Sequence, residues 1–596
     1  MVVQKMETRS FVYACLIFFL IGVGIIVNTY KISYTSAFPW PLYWVGFIIC
    51  AMSVFIAISQ ENASAKIICA MLFLYGLVFY IIQYFGSGGY YDFRDEYLFD
   101  NLTRVIYSNE SLNVADKLAI NKIFLCFPGF SILIVLLQKV TSVVISYPVV
   151  ATIIAISHSM VLVITFLMVR NISNTQIAAL ATFIYSTNID YAWFNTIFHY
   201  ESIGLLMFFL GINLFISRST SKCTDKSAFV FLFIIIITSL TITHHLSSYA
   251  IISILIIFVA MQFAITAKKH VIEKNEGISY NSLTVVIVIT LSWIIYSASY
   301  TIRYFNYNIQ SAVMQILNFS FVDSVKDNIS GIPSWGVGLP QWELFLYKYT
   351  YIPALVLIFL IGLYHIKKEL LIDKSYKQYK YGLIIIGFIA FGSIAISATG
   401  LSKATEITRR ILPFYFIGTA FVIAHAFNFN NEKKRFKQIA ILTLMILIVF
   451  GGTGIGTVRV RGVEGGNPKY LYTDEIVNKD MAAAGQWLKN NGDPTNTATD
   501  KITADMLNIG KENIKSASSL FLSPTIIPTD LNYILVNDKI LRKNWEPSKL
   551  VVFDAKGTKY IAGDQVIEKG MLDKFKDDRL ISLCYDNGCQ VVYSKQ

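Results

Sequence analysis

The sequence is poor in charge and in cysteine. Only 15% of its 596 residues are Asp, Glu, Lys or Arg, whereas a soluble domain has about 25%. Seven cysteines in the whole chain are too few for a disulfide framework. With 55% hydrophobic residues, the composition excludes a soluble cytosolic enzyme, a disulfide scaffold and a disordered tail protein.

Several familiar motifs are also missing. The sequence contains no Walker motif, no HExxH and no nucleophile elbow. It has no Lys/Arg-rich stripe with interleaved aromatic residues, so the net charge of +12 does not indicate a nucleic-acid partner. In a membrane protein such an excess is typical of cytoplasmic loops.

Apolar segments fill the first three quarters of the chain. A helix needs roughly 20 apolar residues to cross a hydrocarbon core of about 30 Å, where lipid offers no hydrogen-bond partner to the backbone. Candidate segments lie near residues 11–28, 42–58, 66–84, 122–138, 146–169, 175–187, 200–217, 227–243, 246–266, 281–299, 348–366, 381–398, 409–427 and 437–454.

The charged loops predict an orientation. Basic loops at 218–226, 268–274, 367–380 and 433–437 are expected to be cytoplasmic. The N-terminus is then inside, and the outer loops 85–121 and 300–347 and the C-terminus are outside. Fourteen full crossings would contradict this, so one segment does not span. The candidates are 122–138, which Pro128-Gly129 interrupts, and 175–187, which is short. We expect about 13 crossings.

Two domains are expected: a transmembrane domain at 1–454 and an extracytoplasmic soluble α/β domain at 455–596. Residues 476–489 have helical spacing, and the runs 533–536 and 550–553 are strand-like. Residues 581–593 predict a hairpin with an Asn-Gly turn. A four-residue loop would place Cys584 opposite Cys589, where a disulfide is feasible, whereas a two-residue loop would offset them.

The first candidate for chemistry is the acidic loop that follows the third segment. Asp92, Asp95, Glu96 and Asp100 lie close together there. Neighbouring carboxylates can deprotonate or orient an acceptor hydroxyl or amine, or hold a divalent cation. A solvated acidic loop without a role is the equally open alternative.

Two further clusters stand at the predicted outer ends of segments. His199 and Glu201 enter the seventh segment, and ionisable groups near a span are usually partnered or functional; residues of an interfacial belt are the alternative. His244 and His245 lie between two apolar runs. Adjacent helical positions point about 100° apart, so a phosphate contact or a polar helix break is favoured over a shared metal, with a satisfied polar turn as the alternative.

Two arginines break the charge rule. Arg409 and Arg410 lie on the predicted outer side, shortly before Pro413, and there they need an anionic partner. A lipid phosphate fits the fork of a guanidinium; an ion pair with Glu406 is the alternative. Arg303, after the tenth segment, is a weaker addition.

The order of these features resembles the GT-C-fold glycosyltransferases, the superfamily of protein mannosyltransferases, aminoarabinose transferases and oligosaccharyltransferase catalytic subunits. The likeness rests on acidic Asp95-Glu96-Tyr97 in the first large outer loop and on the proline-containing span Phe127-Pro-Gly-Phe130. A span ending at Arg170, a short helix beginning at Gln176 and the polar entry Tyr200-Glu201 follow. The C-terminal domain adds Ala484-Gly-Gln-Trp487-Leu, a strand with Asp500 and the closing run 586–593.

The resemblance implies a mechanism with an inverting displacement. A sugar on a polyprenyl phosphate in the outer leaflet is attacked by an acceptor that a carboxylate activates. Carried over, Asp95 is the base, with Glu96 next. Arg409, Arg410, His244 and His245 hold the donor phosphate. The remaining residues of the acceptor or donor pocket are Asp92, His199, Glu201 and Arg303. A divalent cation is the one cofactor suggested, and the acceptor, whether glycan, lipid or protein, stays open.

The sequence departs from the family in three places. Two extra spans precede the acidic loop, where many relatives have one span in all. His244-His245 replaces a Lys-Gly-Pro of some relatives, and the Trp-Trp-Asp motif of oligosaccharyltransferases is missing. The last departure argues against en bloc transfer to asparagine sequons. A flippase or transporter, a polymerase or ligase of lipid-linked surface glycans, and a non-catalytic membrane subunit are the competing hypotheses.

Overall fold

The protein is described here by a computed structural model. The structure describes residues 2–33, 39–60, 63–86, 94–109, 122–143, 146–220, 226–269, 280–303, 351–372, 377–398 and 402–427, with short pieces between 306 and 314, 443 and 452, and 463 and 595.

Helices make up most of the described chain. They are α1 Val2–Ser33, α2 Trp40–Ile58, α3 Ala65–Gly86, α4 Arg94–Asn109, α5 Lys122–Cys126, α6 Gly129–Thr141, α7 Tyr147–Arg170, α8 Thr175–Tyr185, α9 Ile189–Trp193, α10 Tyr200–Thr220, α11 Lys226–Thr243, α12 His245–Lys269, α13 Tyr280–Tyr296, α14 Ile352–Ile372, α15 Lys377–Ala398 and α16 Ser402–Ala426.

Eight of the helices in the described chain are long and apolar enough to cross a membrane, namely α1, α2, α3, α7, α10, α12, α15 and α16. Five more apolar helices are shorter, namely α6, α8, α11, α13 and α14. The chain is therefore a multi-pass helical membrane protein. Its count of about 13 crossings and the orientation of its termini stay predictions.

Both irregular segments behave as their sequences predict. The run 122–138 is broken after Cys126, and α6 begins at Gly129, immediately after Pro128, whose ring cannot continue a helix. The run 175–187 forms the short helix α8, which Asn174 caps by accepting a hydrogen bond of 2.8 Å from the amide of Ile177. The last segment, 437–454, lies largely outside the described residues.

The chain forms two compact units. The first comprises residues 1–86, 126–130 and 149–463, and the second comprises 87–125, 131–148 and 464–596. One hydrophobic core runs through the first unit from Cys15 to Val449. Its helices approach closely where side chains are small: a Cβ on Gly387 of α15 would stand 2.9 Å from the carbonyl carbon of Gly418 in α16, as expected for helix packing in lipid.

The second unit contains α4, most of α5 and of α6, and short strands. The strands from residue 463 onward are β1 Val463–Glu464, β2 Asn467–Pro468, β3 Thr497–Ala498, β4 Tyr533–Asn537, β5 Leu550–Phe553, β6 Tyr560–Gly563, β7 Ile581–Asp586 and β8 Gln590–Lys595. Strand β1 begins at Val463, which is the last residue of the first unit. One sheet has the order β3-β4-β8-β7, with β3 parallel to β4 and the other pairs antiparallel.

The strand predictions for the C-terminal region are confirmed. Strand β4 covers the predicted run 533–536, β5 covers 550–553, and β7 and β8 form the predicted hairpin. Cys584 lies at an irregularity between Leu583 and Tyr585. Cys589 and most of the predicted helix 476–489 lie outside the described residues, so the disulfide, the α/β class and the boundary at residue 454 stay predictions.

Candidate functional site

Three interruptions of helices meet inside the first unit. One is the break at Phe127-Pro128, the second is the single residue His244 between α11 and α12, and the third is the segment between α9 and α10. Ring centroids of Phe127 and His245 are 4.9 Å apart, and those of Tyr200 and His244 are 4.7 Å apart. Helix ends expose backbone polar groups, so this is where polar side chains can gather within an apolar bundle.

His244 caps the beginning of α12. Its Nδ1 accepts a hydrogen bond of 3.4 Å from the backbone amide of Ser247 and lies 2.7 Å from the hydroxyl of the same residue. A side chain that accepts from the third amide of a helix is an N-cap. Because the amide can only donate, Nδ1 is the acceptor, and the ring proton is on Nε2.

The free side of the His244 ring faces a carboxylate. Its Nε2 lies 3.8 Å from Oε2 of Glu201, and both side chains are 1% exposed. Neither carboxylate oxygen of Glu201 accepts a hydrogen bond from a described residue. A buried carboxyl group without hydrogen bonds is costly, and such groups are a mark of functional sites in membrane proteins.

His199 completes this side of the cluster. Its Nδ1 accepts a hydrogen bond of 3.3 Å from the backbone amide of Glu201, so its proton is also on Nε2. Burial lowers the pKa of His199 well below its ordinary value, and the charges of Arg410 and His245 lower it further. Burial, His245, His199 and Arg410 lower the pKa of His244 in the same direction. Both rings are therefore neutral at pH 7.

The two arginines have different surroundings. Arg409 donates a hydrogen bond of 2.9 Å from Nη2 to Oδ1 of Asp190, whose side chain is 8% exposed. Arg410 is the arginine whose charge acts on His199 and His244. The structure thus pairs Arg409 with Asp190. The sequence had suggested Glu406 as the alternative partner, and the side chain of Glu406 lies outside the described residues.

Gly204 allows α10 to approach the start of α12. A Cβ at this position would stand 2.8 Å from Cβ of His244 and 2.9 Å from the hydroxyl of Ser247. Such distances are closer than side-chain atoms tolerate, so only glycine fits without a shift of the cap. Gly204 therefore keeps the His244 ring beside Glu201, one turn away on the same helix.

The acidic helix α4 belongs to the second unit. Glu96 is buried. Asp100 accepts a hydrogen bond of 2.7 Å from Nε of Arg104, one turn further along the helix. Asp92 and the side chain of Asp95 lie outside the described residues, so the role of Asp95 stays a prediction.

No group of three or more His, Cys, Asp or Glu side chains in the described chain is arranged to hold a metal ion. Of the acidic loop, for which the sequence suggested a divalent cation, the structure describes α4 alone.

The structure brings most of the named residues of the first unit together. His199, Glu201, His244 and His245 are buried. The charge of Arg410 lowers the pKa of His199 and of His244. Arg303 is exposed instead. Sequence reasoning missed Asp190, Ser247 and Gly204 as parts of the site. Of these three, only Asp190 could have been recognised from the sequence, because an aspartate near the end of a membrane segment needs a cationic partner.

The fold was compared with known proteins. No protein-family model and no curated protein matches the sequence. Among solved structures, the apo oligosaccharyltransferase of Archaeoglobus fulgidus matches with a TM-score of 0.50 and 13% identity over 85% of this chain and 76% of that one. The chain has the GT-C fold. This confirms the resemblance inferred from the order of motifs.

Two further structures of the archaeal enzyme give similar figures. AglB from Archaeoglobus fulgidus, in complex with an inhibitory peptide and a dolichol-phosphate, matches with a TM-score of 0.49 and 11% identity, over 80% of this chain and 69% of that one. The form tethered to an acceptor peptide containing the NVT sequon has a TM-score of 0.48 and 10% identity, over 80% and 70%. The fold assignment rests on the apo structure, whose 13% identity supports the fold alone.

Proposed function

We propose that this GT-C protein is an integral membrane glycosyltransferase that moves a sugar from a polyprenyl-phosphate carrier to an acceptor on the outer face of the membrane. The observation that carries the proposal is the buried cluster of His199, Glu201 and His244, on which Arg410 acts, at the meeting point of three helix interruptions. The fold shared with an oligosaccharyltransferase supports the same class of reaction.

The cationic side of the cluster suits the leaving group. Arg409 and Arg410 lie in α16, a helix apolar enough to cross the membrane, so a phosphate on a lipid can reach them without leaving the bilayer. A guanidinium holds phosphate oxygens in a fork. His244 and His245 are neutral donors or acceptors that add hydrogen bonds rather than charge.

The acceptor step needs a carboxylate. In the proposed reaction, Asp95 takes the proton from an acceptor hydroxyl or amine while its oxygen or nitrogen attacks the anomeric carbon. The bond between that carbon and the phosphate oxygen breaks, the configuration inverts, and the lipid phosphate leaves with the electron pair. Glu96 is the second choice for the base. His199 and Glu201 are proposed to line the pocket for the acceptor or the donor sugar. Asp92 and the exposed Arg303 stay candidates for the same role.

The acceptor is left open among glycans, lipids and proteins. The archaeal neighbours are oligosaccharyltransferases, but this chain lacks the Trp-Trp-Asp motif that the resemblance would require for transfer to asparagine sequons. We therefore do not assign an asparagine acceptor.

The test is sugar release from a polyprenyl-phosphate-sugar pool by the full chain in proteoliposomes. Native protein, Asp95→Asn, Glu96→Gln and Arg410→Ala are compared, with Arg218→Gln as a matched control. Arg218 has a polar partner too, donating to Ser282 at 3.2 Å, but it lies at the opposite end of α10. Thermal unfolding verifies that each variant is folded.

The outcomes separate the hypotheses. Turnover by native protein and by Arg218→Gln, abolished in folded Asp95→Asn, supports a transferase with Asp95 as base. Full turnover in Asp95→Asn with loss in Glu96→Gln transfers the role to Glu96. No turnover with any lipid-linked sugar, while the lipid moves between leaflets, contradicts the transferase and favours a flippase or transporter.

The proposed topology is tested by labelling introduced cysteines with an impermeant maleimide. Cysteines at positions 90 and 530 are expected to react from outside, and one at position 372 is expected to be shielded. The reverse pattern would contradict a cytoplasmic N-terminus and an extracytoplasmic C-terminal domain.

A further inference from the structure

Arg409 and Arg410 are consecutive residues of α16, and they face different partners. Neighbouring helical side chains diverge by about 100°. Arg409 is held by Asp190 at 2.9 Å, whereas Arg410 lies near enough to His199 and His244 for its charge to lower the pKa of both rings. The two arginines therefore have different surroundings: Arg409 pairs with a protein carboxylate, and Arg410 lies near the polar cluster.

The partner of Arg409 stands on a firmly held element. Asp190 lies in α9, where the amide of Tyr191 donates to Oδ1 of Asn188 at 2.9 Å. The ring of Tyr191 stacks on His158 with centroids 4.1 Å apart, and its hydroxyl donates to the backbone carbonyl of His158 at 3.0 Å. This five-residue helix is thus fixed to α7, so Asp190 can act as an anchor.

The helix that carries the arginines needs such an anchor. Pro413 lies inside α16, and because proline has no amide proton, the carbonyl of Arg409 loses its helical hydrogen bond. Tyr185 donates to the carbonyl of Pro413 at 2.8 Å, which holds the C-terminal side of this weak point. The ion pair between Asp190 and Arg409 holds the N-terminal side.

We propose that Asp190 is a positioning residue for donor binding: by holding Arg409 against α9, it directs Arg410 toward His199 and His244, where the donor phosphate binds. The inference rests on the proposed function. It assigns Arg409 to the protein and Arg410 to the ligand, and it predicts that removing Asp190 weakens binding although a negative charge has been taken away from the neighbourhood of an anionic ligand.

The experiment measures the Kd of unglycosylated polyprenyl phosphate for the full chain in nanodiscs. The variants are Asp190→Asn, Asp190→Glu, Arg410→Ala and the exchanged pair Asp190→Arg with Arg409→Asp, with Arg218→Gln as control. Arg410→Ala is expected to raise Kd roughly 10- to 100-fold, as for a lost charge-assisted hydrogen bond. Asp190→Asn is expected to raise it about 3- to 10-fold. Asp190→Glu and the exchanged pair are expected to stay within about threefold of native protein, since each retains an ion pair.

Three results would overturn the inference. If Asp190→Asn binds the lipid more tightly, Arg409 is itself the ligand and Asp190 only competes for it. If Asp190→Asn lowers the unfolding temperature but leaves Kd unchanged, the pair is purely structural. If Asp190→Glu binds as weakly as Asp190→Asn, the charge is not what positions Arg410; this comparison decides the matter even where the exchanged pair does not fold.

Failure of the proposed function has a different signature. Native protein and the Arg218→Gln control would then not bind polyprenyl phosphate at all, and the positioning role would fall with it. Binding by native protein, combined with any of the three results above, refutes the inference alone.

Discussion

Nε2 of His244 lies 3.8 Å from Oε2 of Glu201, while Nδ1 of the same ring caps α12 through Ser247. One histidine thus both caps a helix and faces a buried acidic side chain. The cap fixes the orientation and the tautomer of the ring, and the fixed ring presents its N–H to a carboxylate that is 1% exposed. The two tasks can be separated by substitution.

Substitution of His244 by alanine or asparagine makes that separation. His244→Ala removes the cap and is expected to lower the free energy of unfolding by about 1 kcal/mol. His244→Asn retains a capping oxygen and is expected to restore most of this loss. Both remove the group that faces Glu201, so both are expected to lower turnover. Thermal unfolding in detergent and the sugar-release assay measure the two effects; full turnover in His244→Asn would limit His244 to capping.

Gly204→Ala tests the close approach of α10 to the cap. The added Cβ would meet Cβ of His244 at 2.8 Å, and overpacking of this kind costs about 1–3 kcal/mol. The matched control is Gly392→Ala in α15, where a Cβ would meet nothing within 4 Å. The control is expected to gain about 0.5–1 kcal/mol, because alanine loses less backbone entropy than glycine. Equal unfolding temperatures for the two variants would contradict the packing described.

Tyr185→Phe tests the hydrogen bond that holds the proline-containing helix. The hydroxyl of Tyr185 is buried and donates to the carbonyl of Pro413 at 2.8 Å, so its loss is expected to cost about 1 kcal/mol and to weaken donor binding through α16. Tyr296→Phe is the control, because Tyr296 is 86% exposed and its substitution is expected to change neither. Thermal unfolding and lipid binding are measured together; unchanged stability in Tyr185→Phe would show that α16 needs no such anchor.

His199 and His244 are expected to contribute a loss of stability in acid. Their pKa values in the folded protein are lowered by burial first and then by surrounding cations and histidines, while in the unfolded chain they keep the ordinary value of 6.5. Between the two values the unfolded state binds more protons, so stability rises with pH. The stability that depends on these two neutral rings is fully present above the histidine pKa of the unfolded chain, and it is lost as the pH falls below that value.

The groups that face these rings are His245, Arg410 and, for His244, Glu201. Unfolding temperatures between about pH 8 and about pH 5 measure the effect. The double variant His199→Gln with His244→Asn is expected to flatten the profile. An unchanged slope in the double variant would assign the acid sensitivity to other groups.

Parts of the site could be read from the sequence. A charged or polar residue at the end of an apolar run is costly in lipid, so His199, Glu201, His244, His245 and Arg410 were recognisable as a set from their positions alone. Arg303 has the same signature but is exposed, because position along the chain does not tell which face of a helix a residue occupies.

The sequence by itself determined the membrane class, the break at Pro128, the short helix at 175–185 and the hairpin at the C-terminus. These follow from local physics, since apolar length, a missing proline amide and turn chemistry act within a few residues. Only the tertiary structure decided that Arg409 belongs to Asp190, 219 residues away in the chain, and that Gly204 seats the cap of α12. Such pairings depend on how helices cross, which no local pattern encodes.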